Sequence, residues 1–338
     1  MDKICILGAG SWASALANLL SDRCMVSMAV RREEQCREIN EEHTNRRYLK
    51  GLRFCANVHA TTDYRAALNG ASLIINAVPS QATRGVLREI APIWNSSVPL
   101  LNVSKGIERG SGKRLSEVAA EELPSCRFAV LSGPSHAEEV VTGEPTAVVI
   151  ASHDQMLADQ LQNVFMRDTF RVYTGTDVVG VEIGGAVKNI LALGIGICDG
   201  LRYGDNARAA MVTRGVHEMV RFGTFVGGEA KTLYGLAGLG DLFVTATSPH
   251  SRNRNAGELL GRGYTLAEAE IAIGQVIEGI DSCRAVVQIA EENQLDMPIT
   301  FAVYEMLHGT IPVQKIVSGL MKRERKSEFE DRGEVREK

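Results

Sequence analysis

Apolar positions are distributed along the chain in two textures. In the first half they come as short, mostly apolar runs, at residues 4–7, 25–30, 73–78, 100–103, 128–131, 147–150 and 170–173, of which 4–7, 128–131 and 147–150 are unbroken. Such runs predict strands, and the unbroken ones strands buried on both faces, as in a parallel sheet. Between them the spacing becomes helical: Leu16, Leu19 and Leu20 predict an amphipathic helix over 12–21, and a second is expected over 155–165. From Val178 onward strand-like runs stop and helical periodicity takes over, with helices expected at 208–222, 251–260, 265–273, 283–293 and 298–308. Thr265 and Glu268 form a capping-box pattern at the third of these. The pattern therefore predicts an α/β domain with a mostly parallel sheet over 1–178, followed by an all-α domain over 179–325. A charged tail, 326–338, closes the chain as a frayed helix or a disordered segment.

Length agrees with two domains, since the chain has 338 residues. A hydrophobic content of 45% supplies apolar surface for large cores. A formal net charge of −4 argues against a dominant role on nucleic acid or acidic membrane. The N-terminal run is short and followed at once by glycines, unlike a signal peptide, and no apolar run is expected to be long enough to span a bilayer. Seven scattered cysteines without a C-x-x-C predict reduced, mostly buried thiols in a cytoplasmic protein. The histidines are equally dispersed, and no metal site is indicated.

The first strand leads into Gly8, Gly10 and Ala13, spaced G-x-G-x-x-A. Gly8 permits a tight turn, Gly10 lets backbone approach a pyrophosphate, and Ala13 lets the next helix lie close to the strand. The helix N-terminus then offers free N–H groups and a positive dipole end to phosphates, so a dinucleotide site is expected here. About 20 residues on, where an acidic side chain commonly meets the ribose hydroxyls of NAD, this chain has Arg31 and Arg32. Arginines there face a 2′-phosphate or stack on adenine, or else are solvated at a helix start beside Glu33 and Glu34. The first alternative favours NADP over NAD.

Later strand ends should open on the same crevice. Lys105, in NVSKGIE, emerges just past one of them; it touches cofactor or an anionic substrate, or is a solvent-facing loop cation. SGPSHAEEV follows another, with Pro134 suited to a first helical turn and Glu138 and Glu139 favouring its dipole. In the helical half, Lys188 stands in the glycine-rich apolar segment EIGGAVKNILALG. A lysine so placed either snorkels to a surface or is held for function, and burial would lower its pKa toward the range of proton transfer. The glycines around it (184, 185, 194, 196 and 200) each cost a helix about 1 kcal/mol relative to alanine, which calls for close helix packing or room for a ligand. Beyond GLG, Asp241 stands in a helix N-cap position with Thr245 one turn on, and Ser251, Arg252 and Asn253 start another helix. Hydroxyl, guanidinium and amide groups at a helix start suit a phosphate monoester; plain capping would account for Asp241 and Ser251 alone.

Taken in order, GAGSWASAL, NVSKGIE, SGPSHAEEV, GAVKNILALG, YGDNARAAMVTRG, GLGDL and SRNR resemble the bacterial NAD(P)-dependent sn-glycerol-3-phosphate dehydrogenases, from Gly8 to about Glu278. The resemblance implies a Rossmann-type N-terminal domain, a helical C-terminal domain, an active site between them and a homodimer. It implies reduction of dihydroxyacetone phosphate to sn-glycerol 3-phosphate for phospholipid synthesis, with Lys188 as the proton donor or acceptor. It places Ser11 and Trp12 in the cofactor turn, Arg31 and Arg32 at the adenosine ribose, and Ala137 along the cofactor. Lys105 would touch cofactor and substrate, and Gly133, Ser135, Asp241, Ser251, Arg252 and Asn253 would hold the substrate. Arg252 also reaches the cofactor, over which Val276 and Glu278, from GQVIEG, would close. The competing readings are a two-domain dehydrogenase of the hydroxyacid or ketopantoate type, which needs no SRNR phosphate grip, and a non-catalytic NAD(P)-sensing protein.

Overall fold

The computed structural model describes residues 1–309, 311, 313–325, 327 and 328, so the expected 326–338 tail lies outside the described residues except at 327 and 328. Eight strands form one sheet: β1 (Lys3–Leu7), β2 (Met25–Ala29), β3 (Val58–Thr61), β4 (Leu73–Asn76), β5 (Leu100–Asn102), β6 (Phe128–Ser132), β7 (Thr146–Ala151) and β8 (Phe170–Gly175), in the order β3-β2-β1-β4-β5-β6-β7-β8. β1 to β6 run parallel, β7 pairs antiparallel with β6, and β8 runs parallel to β7. The unbroken apolar runs are explained by two-sided burial. Ile4 and Ile6 pack into one core with Leu16 and Leu20, whereas Cys5 and Leu7 pack into another with Ile74 and Leu100. The expected strands missed β3, an edge strand of sequence VHAT whose His59 is exposed and whose burial merely alternates.

Strand order reverses between β1 and β4, and Leu7 pairs with Asn76, Asn76 with Asn102 and Asn102 with Val130. The loops after β1, β4, β5 and β6 therefore leave one sheet edge side by side, which is where open α/β sheets bind ligands.

From Val178 the described chain is helical, and its hub is the central helix Val178–Gly200, capped where Gly180 N donates to Asp177 Oδ1 at 2.8 Å. Here the structure corrects the sequence reading. This helix is long and apolar enough to cross a membrane, with mean hydropathy 1.6 over an 18-residue window, yet 94% of that window is buried within the protein. Its glycines explain how. A Cβ on Gly196 or Gly200 would run into the backbone of helix Arg252–Gly261, and one on Gly257 or Gly261 would run into the central helix. The two helices thus meet glycine face to glycine face, backbone to backbone. Helix Glu278–Glu292 begins five residues earlier than the apolar spacing predicts, because its first turn is polar. Of the seven cysteines, three are buried, three half-buried and Cys55 exposed, all as free thiols.

Candidate active site

The turn after β1 has the form a pyrophosphate requires. Gly8 adopts φ +105°, and a Cβ there would lie 3.0 Å from Ala77 O. Gly10 stands at the N-cap of helix Ser11–Leu20 with no side-chain cap, and a Cβ there would meet nothing within 4 Å, so the backbone at the helix start borders open space. Trp12 Nε1 is buried without a partner, a donor left available beside the turn. Ser11 Oγ donates to Tyr48 O at 2.6 Å. These residues fit a dinucleotide. Ala137, buried, opens helix Ala137–Thr142 after β6.

Arg31 is exposed past β2, while Arg32 is half-buried, 3.4 Å from Gln35 Oε1, with its guanidinium 5.9 Å from the Tyr48 ring centroid. Arg47 flanks the same ring at 5.8 Å. Sequence reasoning missed Tyr48 and Arg47; the signal available was the basic-aromatic run Arg46–Arg47–Tyr48, which has no fixed spacing from the glycine turn. A cavity of about 630 Å³ opens beside them, lined by Arg47, Tyr48, Lys50, Arg53, Glu138 and Gln275 among others. None of the buried lysine cluster lines it.

That cluster lies where the loops after β5 and β6 meet the central helix. Lys188 Nζ donates to Asp241 Oδ1 at 3.0 Å and to Thr245 Oγ1 at 2.6 Å, and Lys105 Nζ donates to Asp241 Oδ2 at 2.6 Å and to Gly133 O at 3.2 Å. Lys188 does not snorkel: it is 6% exposed. Burial pushes its ammonium down to about 8 from the usual 10.5; Asp241 opposes that shift, and Lys105 and Arg252 add to it. Burial alone would raise the Asp241 carboxyl, but Lys105 and Lys188 outweigh it and hold it below the usual range.

Asp241 corrects a second expectation. It is the first residue of helix Asp241–Thr247 rather than its N-cap, since Gly240 precedes it in helical conformation within the turn Leu236–Gly240. Its carboxylate is therefore free to bridge the two amines. Gly185, on the central helix, presents no side chain to Ser132 Oγ and Lys105, which a Cβ would approach to 3.0 and 3.3 Å. Gly133, at φ +139°, lies against Val148 with no room for a Cβ, and Ser135 Oγ donates to its carbonyl at 2.9 Å.

Ser251 caps helix Arg252–Gly261, accepting from Arg254 N at 3.2 Å. Both ends of the Asn253 amide are engaged: Nδ2 donates to Asn189 Oδ1 and Oδ1 accepts from Gly279 N, each at 2.9 Å. The Asn253 amide thus ties its helix to the residue beside Lys188 and to the start of helix Glu278–Glu292. Arg252 is exposed, with Nη1 donating to Val276 O at 3.0 Å. Val276 is exposed, and Glu278 accepts from Ser80 N at 3.2 Å and from Ser80 Oγ, joining the helical region to the loop after β4. Burial first, against those Ser80 bonds, holds the Glu278 carboxyl above its usual range.

Residues 3–158 match the family model for the NAD-dependent glycerol-3-phosphate dehydrogenase N-terminus, and residues 177–318 match that for its C-terminus. The chain belongs to the NAD-dependent glycerol-3-phosphate dehydrogenase family. It is similar to glycerol-3-phosphate dehydrogenase (NAD(P)+) of Syntrophomonas wolfei, 47% identical over 335 residues, covering 98% of each chain. The crystal structure of glycerol-3-phosphate dehydrogenase from Coxiella burnetii superimposes with a TM-score of 0.92 at 41% identity, covering 95% of this chain and 99% of that one. A ketopantoate reductase of Ralstonia eutropha shares the fold at a TM-score of 0.60 with 18% identity, covering 94% of this chain and 99% of its own. Membership of this family, matched over both its N-terminal and C-terminal models, makes this chain an oxidoreductase that uses NAD or NADP.

Proposed function

We propose that the chain reduces dihydroxyacetone phosphate to sn-glycerol 3-phosphate, reversibly, and supplies the glycerol phosphate backbone for phospholipid synthesis. The carrying observation is the buried Lys188–Asp241–Lys105 bridge at the sheet edge that bears the glycine turn. A dinucleotide held at the glycine turn by Ser11 and Trp12 would supply the hydride that reduces C2 of the ketone. Lys188, as an ammonium, stabilises the charge growing on the carbonyl oxygen and delivers the proton that completes the alcohol; as a neutral amine it takes that proton back in the oxidation. Asp241 orients Lys188, and Thr245 Oγ1, accepting at 2.6 Å, fixes a second direction of the ammonium. Lys105, Gly133 and Ser135 line the substrate. Arg252 and the N-terminal N–H groups of its helix, with Ser251 and Asn253, hold the phosphate and so align the reacting carbon.

Ser11, Trp12, Arg31, Arg32 and Ala137 bind the cofactor from the 1–178 side, and Arg252, Val276 and Glu278 cover it from 179–325. Arg31 and Arg32, with Arg47 near, favour the 2′-phosphate of NADP. The family resemblance supports a cytoplasmic homodimer. The test is a spectrophotometric assay with dihydroxyacetone phosphate, run with NADPH and with NADH. Oxidation of either cofactor that depends on dihydroxyacetone phosphate supports the reading; activity on a ketoacid such as ketopantoate, with none on the triose phosphate, overturns it.

A further inference from the structure

Glu182 is buried in the central helix, six residues before Lys188, and the chemistry above makes no use of it. Its carboxylate accepts from Ser116 N at 2.8 Å, from Ser116 Oγ at 2.5 Å and from Arg114 Nη1 at 3.2 Å. Arg114 and Ser116 form the start of helix Leu115–Glu122, whose capping box turns Glu117 back onto the Arg114 N–H. Arg114 also pairs as an antiparallel bridge with Ile107, and Glu108 N donates to Lys113 O at 2.9 Å, so residues 107–114 form a closed loop. Ile107 is fully buried, and it packs in the helical core with Ile183 and Val187 rather than in either core of the sheet. Two residues before Ile107 stands Lys105. The segment that carries Lys105 is thus continuous in sequence with β5 but fastened in space to the central helix, by an apolar plug and by a carboxylate clasp.

We propose that Glu182 is a positioning residue: by holding Arg114 and Ser116 to the helix that carries Lys188, it sets Lys105 at the distance from which both amines share Asp241. The proposal rests on the reading of Lys188 as the proton donor. The charged and titratable groups facing Lys188 are Asp241, Lys105, Arg252 and His136, and those facing Glu182 are Arg114 and Glu117. Among the former, Lys105 depresses the Lys188 ammonium, so loosening the clasp removes a cation from beside it and lets its pKa rise.

The test compares the pH profile of dihydroxyacetone phosphate reduction in the wild-type protein and in Glu182→Gln, which keeps the shape but not the charge of the clasp. Ser116→Ala loosens the same junction from the sheet side should the helix variant fold poorly. Reduction needs the ammonium, so the wild-type rate falls as pH rises through the Lys188 pKa. In either variant that alkaline limb moves to higher pH, and kcat/KM for the triose phosphate drops about ten-fold while the Kd for NADPH stays within about two-fold. Glu218→Gln is the control for a merely structural role: it removes another buried carboxylate, lowers stability and leaves the limb in place. A limb present in the wild type but unmoved in Glu182→Gln and Ser116→Ala overturns the proposal alone. A wild-type profile with no alkaline limb overturns the Lys188 reading and this proposal with it.

Discussion

Individual residues stood out in the sequence for their chemistry, and the structure shows which of them it brings together. Lys188 stood out because a lone cation in an apolar helix needs a reason, and its burial beside Asp241 supplies one. Taken from the residues alone, Asp241 was legible as a polar group after a glycine turn but not as the ion-pair partner of Lys188. Cap and ion-pair partner look alike in sequence, and the choice was made by a helical Gly240, which shifts the helix start by one residue. Glu278 meeting Ser80 had no signal at all, because 198 residues separate them. Two outcomes belong at this scale. Lys188→Ala leaves the Kd for NADPH within about two-fold but lowers kcat by about 10²–10⁴, the usual worth of a positioned acid, in steady-state assays; near-normal turnover would remove Lys188 from the reaction. Arg252→Ala raises KM for dihydroxyacetone phosphate at least ten-fold with a smaller change in kcat, the sign of an interaction made before the transition state. An unchanged KM would move the phosphate elsewhere.

Elements were read well wherever one pattern ruled the whole of them. The doubly buried strands and the amphipathic helices Gln155–Phe165 and Pro298–His308 lie where periodicity put them. The strand β3 escaped because an exposed edge needs only half an apolar pattern. The central helix was readable as a helix, but whether its glycines served packing or a ligand was not, since that depends on which helix crosses it. The answer divides by position: Gly185 leaves space at the lysine cluster, while Gly196 and Gly200 admit the backbone of helix Arg252–Gly261. A methyl group at that crossing has nowhere to go. Gly257→Ala should therefore destabilise the protein by about 1–3 kcal/mol or more through overpacking against Leu193 O. Gly85→Ala, in helix Thr83–Ile90 with nothing within 4 Å of the new Cβ, should stabilise it by about 0.5–1 kcal/mol by restricting the unfolded chain. Urea denaturation of the pair measures both, and equal effects of the same sign would mean that the crossing is looser than these contacts require.

Across the whole molecule, buried carboxylates act as ties between segments distant in the chain. Glu182 reaches Ser116, Glu278 reaches Ser80, and Glu218 accepts from Ile299 N at 2.6 Å and from Thr300 N and Oγ1 at 2.9 Å, capping helix Pro298–His308 from the helix Asp205–Phe225. Burial pushes the carboxyls of Glu182 and Glu218 up to about 7, against the hydrogen bonds that favour their ionised forms. In an unfolded chain a glutamate titrates near 4.3. Between those two values the folded protein holds more protons than the unfolded one, so each group's contribution to stability declines as pH rises from about 4.5 to about 7 and is lost above that. For Glu218 the full excursion is on the order of 3 kcal/mol. Glu218→Gln isolates it. Its amide retains one acceptor but turns an N–H₂ toward backbone donors, so at pH 4.5 the variant is less stable than the wild-type protein. As pH rises toward 7 only the wild type incurs the cost of ionising a buried acid, and the gap between the two narrows. Thermal or urea unfolding followed at half-unit pH steps reads that gap directly; a gap constant from pH 4.5 to 7 would mean that Glu218 is ionised throughout and that its three donors outweigh its burial.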